Sequence, residues 1–465
     1  MDIQDMARMG GGRADRPVRM LQFGEGNFLR GFVDWMVDIA NDEGMTDIGV
    51  AIVKPRAGQS HIIDELRRQD FLYTVTLEGK GVKENRIVKC VADAITQEDE
   101  EKYEGYVLSP ELRFVASNTT EAGIRYDADD VKGRPATFPG KVANLLWRRY
   151  KHFGGAADKG LIFLPCELIE NNGRTLKEYT LRHAEEFGDD GFIEWINGNC
   201  IFADTLVDRI VSGRPDDMAE AQRELGYADE LIVKGEHYHV WAIGGEGVEK
   251  IREELPLDRA GLNVMYLPDV KGFRDRKVRI LNGSHTGMAA LSLLLGHRTV
   301  DEAFADERIN RFVRAMIAEE VIPTLPGDRK EIEAYAAGIF ERFENPHLHH
   351  RLDSIAMNSI SKWKARIFGA LRDYCHIKGE LPKRMLASLA ALIALYAPGS
   401  GFEPADDAEG VEFIRRNWNK EDIAGSVKAI IPLFIGDFEA EAQGIAEAVA
   451  VYASDIANNG KFEAL

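Results

Sequence analysis

Cysteine is scarce: Cys90, Cys166, Cys200 and Cys375 are the only four in 465 residues, and no two form a CxxC pair. That spacing argues against a disulfide scaffold and against structural zinc, and predicts reduced thiols in a cytoplasmic protein. Long apolar runs are missing too. None reaches the roughly 20 residues needed to span a bilayer, so no membrane partner is expected. Residues 1–16 carry Gly10–Gly12 and mixed charge without the apolar segment of a secretory signal, and read as a disordered lead-in. Positive charge is in deficit. A net charge of −19 argues against nucleic acid as a partner, because phosphate backbones bind basic surfaces. A small anionic ligand needs only a local pair of cations and stays open. Internal repeats and low-complexity tracts are absent, and nothing in the residues specifies an oligomeric state.

What is present is a globular composition, 45% hydrophobic and 29% charged, in a chain too long for one ordinary core. Val18–Phe23 reads as a strand, followed by Gly24-Glu25-Gly26 and then Phe28, Leu29, Phe32, Val33, Met36 and Ile39 at helical spacing. Ile48–Val53 has the continuous apolar character of a buried parallel strand. Further strands are expected at Phe71–Thr76, Arg86–Val91, Arg113–Ser117 and Leu161–Leu164, with helices around Gln59–Arg68, Lys141–His152 and Leu176–Phe187. Alternation of this kind predicts an α/β fold, a Rossmann-like domain over residues 17–275 with a mostly parallel sheet. From about Lys277 strand signals fade. Helical segments follow at Met288–Leu295, Thr299–Glu320, Asp328–Phe343, Ser359–Tyr374, Lys383–Tyr396 and Glu439–Ile456, so residues 276–465 are expected to form a mostly α-helical second domain.

The glycine pair after the first strand fits a turn that cradles a dinucleotide phosphate at a helix N-terminus. It is an incomplete fingerprint, since Leu29 holds the third glycine position. Phe23, Gly24, Gly26, Asn27 and Phe28 are the cofactor candidates there. The acid that would bind the ribose is missing after Val53, where Lys54-Pro55-Arg56 stand, which leaves NADP open beside NAD. Asn118 and Thr119 follow the Arg113–Ser117 strand at its carboxyl end; the plainer reading is a helix cap at Thr119 or Thr120. Asn171-Asn172-Gly173 is first a turn signal, with Asn172 kept as a ligand contact. His347-Leu348-His349-His350 lacks the carboxylate–histidine spacing of a metal site, and no metal is expected. Lys362, after Asn358-Ser359, is a possible substrate contact.

The chemistry is placed in Lys277-Val-Arg-Ile-Leu-Asn282-Gly-Ser-His285. Reduction of a carbonyl by hydride needs a proton donor at the oxygen and a polar group to hold it. A lysine in open water has a pKa of about 10.4, and enzymes bring such lysines to about 7–8 by burial and neighbouring charge. Apolar Val278, Ile280 and Leu281, then Met288–Leu295, predict a half-buried setting. From spacing alone a surface lysine, a polar turn and a hydrogen-bonded histidine would serve equally well.

Together these segments resemble the polyol-specific long-chain dehydrogenases, the mannitol dehydrogenase family. The resemblance is carried by Phe23-Gly-Glu-Gly-Asn-Phe-Leu-Arg30, Phe202–Ile210, Glu236–Ile243, Lys277–His285 and Asn345-Pro346 leading to Lys362. Lys-x4-Asn-x2-His is that family's catalytic signature. Val115–Ile124, Phe138-Pro-Gly-Lys141 and Leu164-Pro-Cys-Glu-Leu168 are similar to the branch that interconverts D-tagaturonate and D-altronate. The resemblance implies a metal-independent, NAD-linked oxidoreductase of hexuronate catabolism, with Lys277, Asn282 and His285 catalytic and a sugar acid as substrate. Arg279, Arg351 and Lys362 are then candidates for the substrate carboxylate. Fructuronate reductase and mannitol 2-dehydrogenase activities are the enzymic alternatives, and a dinucleotide-sensing protein the non-enzymic one. One position departs from the family: mannitol dehydrogenases carry asparagine where this chain has Leu168, so Asn282 acts without that partner or Asn172 substitutes.

Overall fold

Period-two alternation along the first strands decides the architecture of the N-terminal half. In the computed structural model, residues 3–459 are described apart from 14, 57, 80, 97–98, 120–122, 133–134, 346–349 and 437–441. They fall into two units, Met1–Val270 and Lys271–Leu465.

The strands of the first unit are β1 (Val18–Phe23), β2 (Gly49–Val53), β3 (Tyr73–Gly79), β4 (Val82–Val88), β5 (Val91–Ile95), β6 (Phe114–Ser117) and β7 (Ile162–Pro165). After them come β8 (Ile201–Phe202), β9 (Asp204–Asp208), β10 (Val211–Gly213), β11 (Val233–Gly235), β12 (Val240–Gly244) and β13 (Val264–Leu267). Six of them form one sheet in the order β5-β2-β1-β6-β7-β8, and every pairing in it is parallel. Met20, Val50, Ile52, Phe114, Ala116, Ile162 and Leu164 share one core with the apolar face of the helix Trp35–Asp42. The intervening residues, Leu21, Phe23, Ala51, Val53, Val115 and Phe163, share another with the helix Phe138–Phe153. Side chains that alternate between two faces thus give helices on both faces of a doubly wound sheet.

Several expectations are corrected. Residues 3–10, read as part of a disordered lead-in, form a helix, because Met6 is buried against Leu72 and Tyr227. The single strand expected at Arg86–Val91 is the end of β4 and the start of β5. The chain leaves the ladder where Lys89 N donates to Asp38 Oδ1 at 2.7 Å. Two smaller sheets, β10-β11-β3-β4 and β13-β12-β9, contain the unit's antiparallel pairs.

The second unit is helical, and no helix among the described residues is long and apolar enough to cross a membrane. At its centre two helices with apolar residues all round, Gly283–Leu294 and Lys383–Tyr396, pack on each other, and burial on every side is what such helices require. The segment Thr299–Glu320 is broken rather than continuous. Asp306 ends Val300–Ala305 and caps Glu307–Ala315, its carboxylate accepting from Arg308 N at 2.9 Å.

Candidate active site

Strand order in the six-stranded sheet reverses between β1 and β6, and in open α/β sheets ligands lie beyond the carboxyl ends of the strands at that switch. Phe23 pairs with Ser117 there, and Asn118 N donates to Phe23 O at 3.1 Å, so the glycine turn and the Asn118–Thr119 loop are neighbours. Gly24 has φ 136°, and a Cβ on it would stand 3.0 Å from Leu29 Cδ1 and 3.3 Å from Asn118 O, so only glycine fits. Gly26, which caps the helical segment starting at Asn27, differs: among the described residues beyond its own chain neighbours, no atom lies within 4 Å of its Cβ position. Internal packing therefore gives no reason for glycine at position 26, whereas close approach of a phosphate to the backbone does.

Buried side chains hold this turn from beneath. Gln22 Nε2 donates to Gly24 O at 3.3 Å and Arg30 Nε to Glu25 O at 3.2 Å. Arg30 also reaches Asn27 Oδ1 at 2.6 Å and Leu231 O at 2.8 Å. The turn's carbonyls are thus tied inward. Asp34, within hydrogen-bond distance of Gln22 Nε2 and of the Tyr73 hydroxyl, has its carboxyl pushed up to about 7 by burial. The Phe23 ring is buried against Phe138 at 5.1 Å. Phe28, half-buried, stacks on Phe32 at 5.0 Å.

Lys54 follows β2 directly and donates to Arg56 O at 2.9 Å. It lines a cleft with Phe23, Tyr103, Lys141 and Arg148. Burial and the nearby Lys54 charge hold the Lys141 ammonium below its ordinary range. Lys141 and Arg148 were not singled out from sequence as site residues; they belong to a helix remote in the chain from the missing acid. Thr119 is committed inward: its N and Oγ1 donate to Glu167 Oε1 at 2.8 and 2.9 Å, and Ser117 Oγ donates to Oε2 at 3.0 Å. The alternative cap, Thr120, lies outside the described residues.

Asn172, kept from sequence as a ligand contact, is 1% exposed. Its amide nitrogen lies 2.9–3.1 Å from the carbonyls of Pro165, Glu167 and Thr205, and its oxygen accepts from Gly173 N and Thr205 N. No donor or acceptor of the amide is left for a ligand or for replacing the asparagine absent at Leu168. Leu168 itself is 60% exposed.

In the helical unit, Lys277 ends the helix Lys271–Lys277, a π turn occupies Val278–Asn282, and Gly283 opens the helix to Leu294. Gly283 N donates back to Val278 O, five residues earlier. That extra residue decides the geometry. On a regular α-helix, at ~100° per residue, Asn282 and His285 would stand about 140° and 80° from Lys277. A π turn absorbs one residue, which brings all three within about 60° of one another. Lys277 and His285 are both 7% exposed and Asn282 is half-buried.

The His285 ring lies 4.7 Å from that of Phe343 and, edge-on, 5.0 Å from that of His350; its Nε2 has no hydrogen-bond partner among the described residues. Burial, then His350, Arg342, Arg366 and Lys277, push its pKa well below the ordinary value, so the imidazole is neutral.

Each of the three candidate carboxylate partners has a partner of its own. Arg279 Nη2 pairs with Asp373 at 2.7 Å, and Nη1 donates to Thr324 Oγ1 at 2.9 Å. Arg351 is 70% exposed and paired with Asp353. Lys362, half-buried, donates to Ile355 O at 2.9 Å. His347 and His349 lie outside the described residues. Among the described ones, no group of three or more His, Cys, Asp or Glu could hold a metal ion.

Comparison with known proteins agrees with these two units. Residues 18–256 match the Mannitol dehydrogenase Rossmann domain and residues 269–452 the Mannitol dehydrogenase C-terminal domain. An altronate oxidoreductase of Bacillus subtilis (strain 168) is 41% identical over 97% of this chain and 95% of its own length. One from Escherichia coli O139:H28 is 41% identical over 88% and 86%. Among solved structures, a substrate-free D-sorbitol dehydrogenase superposes with a TM-score of 0.81 at 22% identity, covering 95% of this chain and 94% of its own. A Pseudomonas fluorescens mannitol 2-dehydrogenase, in a ternary complex with NAD and D-mannitol, gives a TM-score of 0.75 at 21% identity over 96% and 93%. Family domains across both units and relatives at 41% identity make this chain a member of the mannitol dehydrogenase family, an oxidoreductase acting on CH–OH groups.

Proposed function

We propose that the chain interconverts D-tagaturonate and D-altronate, with Lys277 as general acid and base. The observation that supports the lysine chemistry is the π turn, whose extra residue puts Lys277, Asn282 and His285 on one helical face, with Lys277 and His285 buried. The names of the 41% identical relatives support the substrate.

A nicotinamide dinucleotide, when bound, supplies or accepts hydride at the substrate carbon. Its pyrophosphate would be held at the Gly24–Asn27 turn, whose carbonyls Gln22 and Arg30 tie inward. Asn118 and Lys54 stand at the same sheet edge. In reduction, protonated Lys277 gives its proton to the carbonyl oxygen, and in oxidation neutral Lys277 takes the proton back. Asn282 donates an amide hydrogen to that oxygen as charge builds on it, an interaction whose loss typically costs about 10²–10³ in rate. Neutral His285 orients a substrate hydroxyl through a ring nitrogen. Hexuronate catabolism in the cytoplasm belongs to the same proposal.

The test is oxidation of NADH and NADPH, assayed separately against D-tagaturonate, D-fructuronate and D-fructose. Turnover with tagaturonate alone is the expected result and identifies the cofactor at the same time. Turnover with fructuronate or fructose instead keeps the lysine chemistry and moves the substrate. No oxidation with any of the three overturns the proposal.

A further inference from the structure

The described histidines fall into two kinds. Some are satisfied within the fold: His239 Nδ1 lies 3.0 Å from His237 O and its Nε2 accepts from Asn263 N at 3.0 Å, while His297 Nε2 meets Asp306 at 3.2 Å. Two in the helical unit each keep a bare nitrogen. His285 Nε2 and His350 Nδ1 are buried without a hydrogen-bond partner among the described residues, and their rings touch edge-on at 5.0 Å. A buried polar atom left unpaired is costly, so two on adjoining rings point to one group that serves both. His183, in the first unit, has bare nitrogens as well, but it packs on the Tyr126 ring at 4.7 Å, and the charges that act on it are Asp130, Glu186, Asp127 and Arg182.

The fold holds His350 in place from its backbone. Val300 N donates to His350 O and Leu352 N to Arg298 O, both at 2.9 Å, around the bridge between Thr299 and Arg351. Apolar rings pack on its partner, Phe343 at 4.7 Å from His285 and Phe304 edge-on to Phe343 at 5.4 Å, and offer no hydrogen bond. His350 also joins two parts of the site, since Lys362 acts on it through space and Lys277 acts on His285. Burial holds both imidazoles below their ordinary pKa, so both are neutral, each with one N–H and one bare nitrogen. Such a pair can donate from one ring and accept at the other. A carboxylate or carbonyl only accepts and an ammonium only donates; a hydroxyl does both.

We propose that His350 is a second substrate-binding imidazole, one substrate hydroxyl bridging it and His285 by accepting from one ring and donating to the other. This rests on the hydroxyl-orienting role given to His285 above, not on which sugar is the substrate. The experiment measures kcat and KM for the wild-type protein, His350→Phe and His350→Asn on D-tagaturonate and on its monodeoxy analogues, each lacking one hydroxyl. Cofactor affinity and melting temperature are recorded alongside. A hydrogen bond lost from a buried group corresponds to about 10-fold. His350→Phe should therefore raise the KM for tagaturonate about 10-fold at unchanged cofactor affinity, and His350→Asn, whose amide nitrogen stands in for Nδ1, should recover part of the loss. With the analogue that lacks the bridging hydroxyl, wild type and His350→Phe should turn over alike, because the contact is already gone. A loss that persists at full size with every analogue marks a structural role and overturns the proposal, as does an unchanged KM for tagaturonate. If the wild-type protein turns over fructuronate or fructose instead, the tagaturonate reading has failed, and the same comparison on that sugar's monodeoxy analogues decides the role of His350. No turnover with any of the three overturns both.

Discussion

At the scale of single residues, two asparagines make opposite predictions. Asn282 is half-buried on the face it shares with Lys277, whereas Asn172 is sealed in a bracket of backbone groups joining the loop after β7 to β9. Asn282→Ala should lower kcat by about 10²–10³ while leaving the melting temperature near that of the wild type. Asn172→Ala should do the reverse: it strands several buried backbone groups, each costing about 1–3 kcal/mol if left unsatisfied, so thermal unfolding should move first. Lys277→Ala should lose turnover by orders of magnitude with cofactor affinity retained; normal turnover would remove the lysine from the mechanism. These are steady-state and melting measurements, and each variant is read by both.

At the scale of elements, the π turn is the device that matters. Adding one residue to it, an alanine after Val278 for instance, should exceed what the bulge absorbs and rotate Asn282 and His285 about 100° away from Lys277. Activity should vanish while far-UV circular dichroism keeps its helical amplitude; retained activity would show that the three groups need not share a face. This is also where the limits of the sequence lie. The parallel strands were legible because continuous apolar runs such as Gly49–Val53 are buried on both faces. The helical half was legible because apolar spacing persists through Asp328–Phe343 and Lys383–Tyr396. The π turns were not legible, since a bulge leaves the residue types of a helix unchanged and alters only their phase. Spacings of five and eight from Lys277 fit no α-helical face, and that was the available signal. Thr119 and Asn172 were singled out as candidate contacts, but their inward partners could not be read, because a polar side chain at a strand's carboxyl end looks the same in sequence whether it faces outward or a buried Glu167.

For the whole molecule, the two units should respond to pH in opposite senses. Asp34, in the first, has a carboxyl pushed from 3.8 up to about 7 by burial. Its contribution to stability is complete below about pH 4 and is lost as pH rises towards 7, because the unfolded chain ionises first. His285, in the second unit, is held well below 6.5. Its contribution is present above pH 6.5 and lost as pH falls, because the unfolded chain takes up the proton first. Between pH 7 and 5, hydrogen exchange followed unit by unit should show Asp34→Asn losing its advantage over the wild type in the first unit. His285→Gln should gain one in the second. Parallel changes in both units would contradict the assignment. Because two units need not unfold together, a single melting midpoint would average the two effects away.

The four buried thiols give those two units a natural read-out. Cys90, Cys166 and Cys200 lie in the first and Cys375 in the second, none more than 6% exposed and all reduced. A thiol-specific alkylating reagent cannot reach any of them until its surroundings open. Peptide-resolved mass tagging of the unmodified protein therefore times the opening of each unit separately, three clocks on one side and one on the other, with no label or mutation introduced.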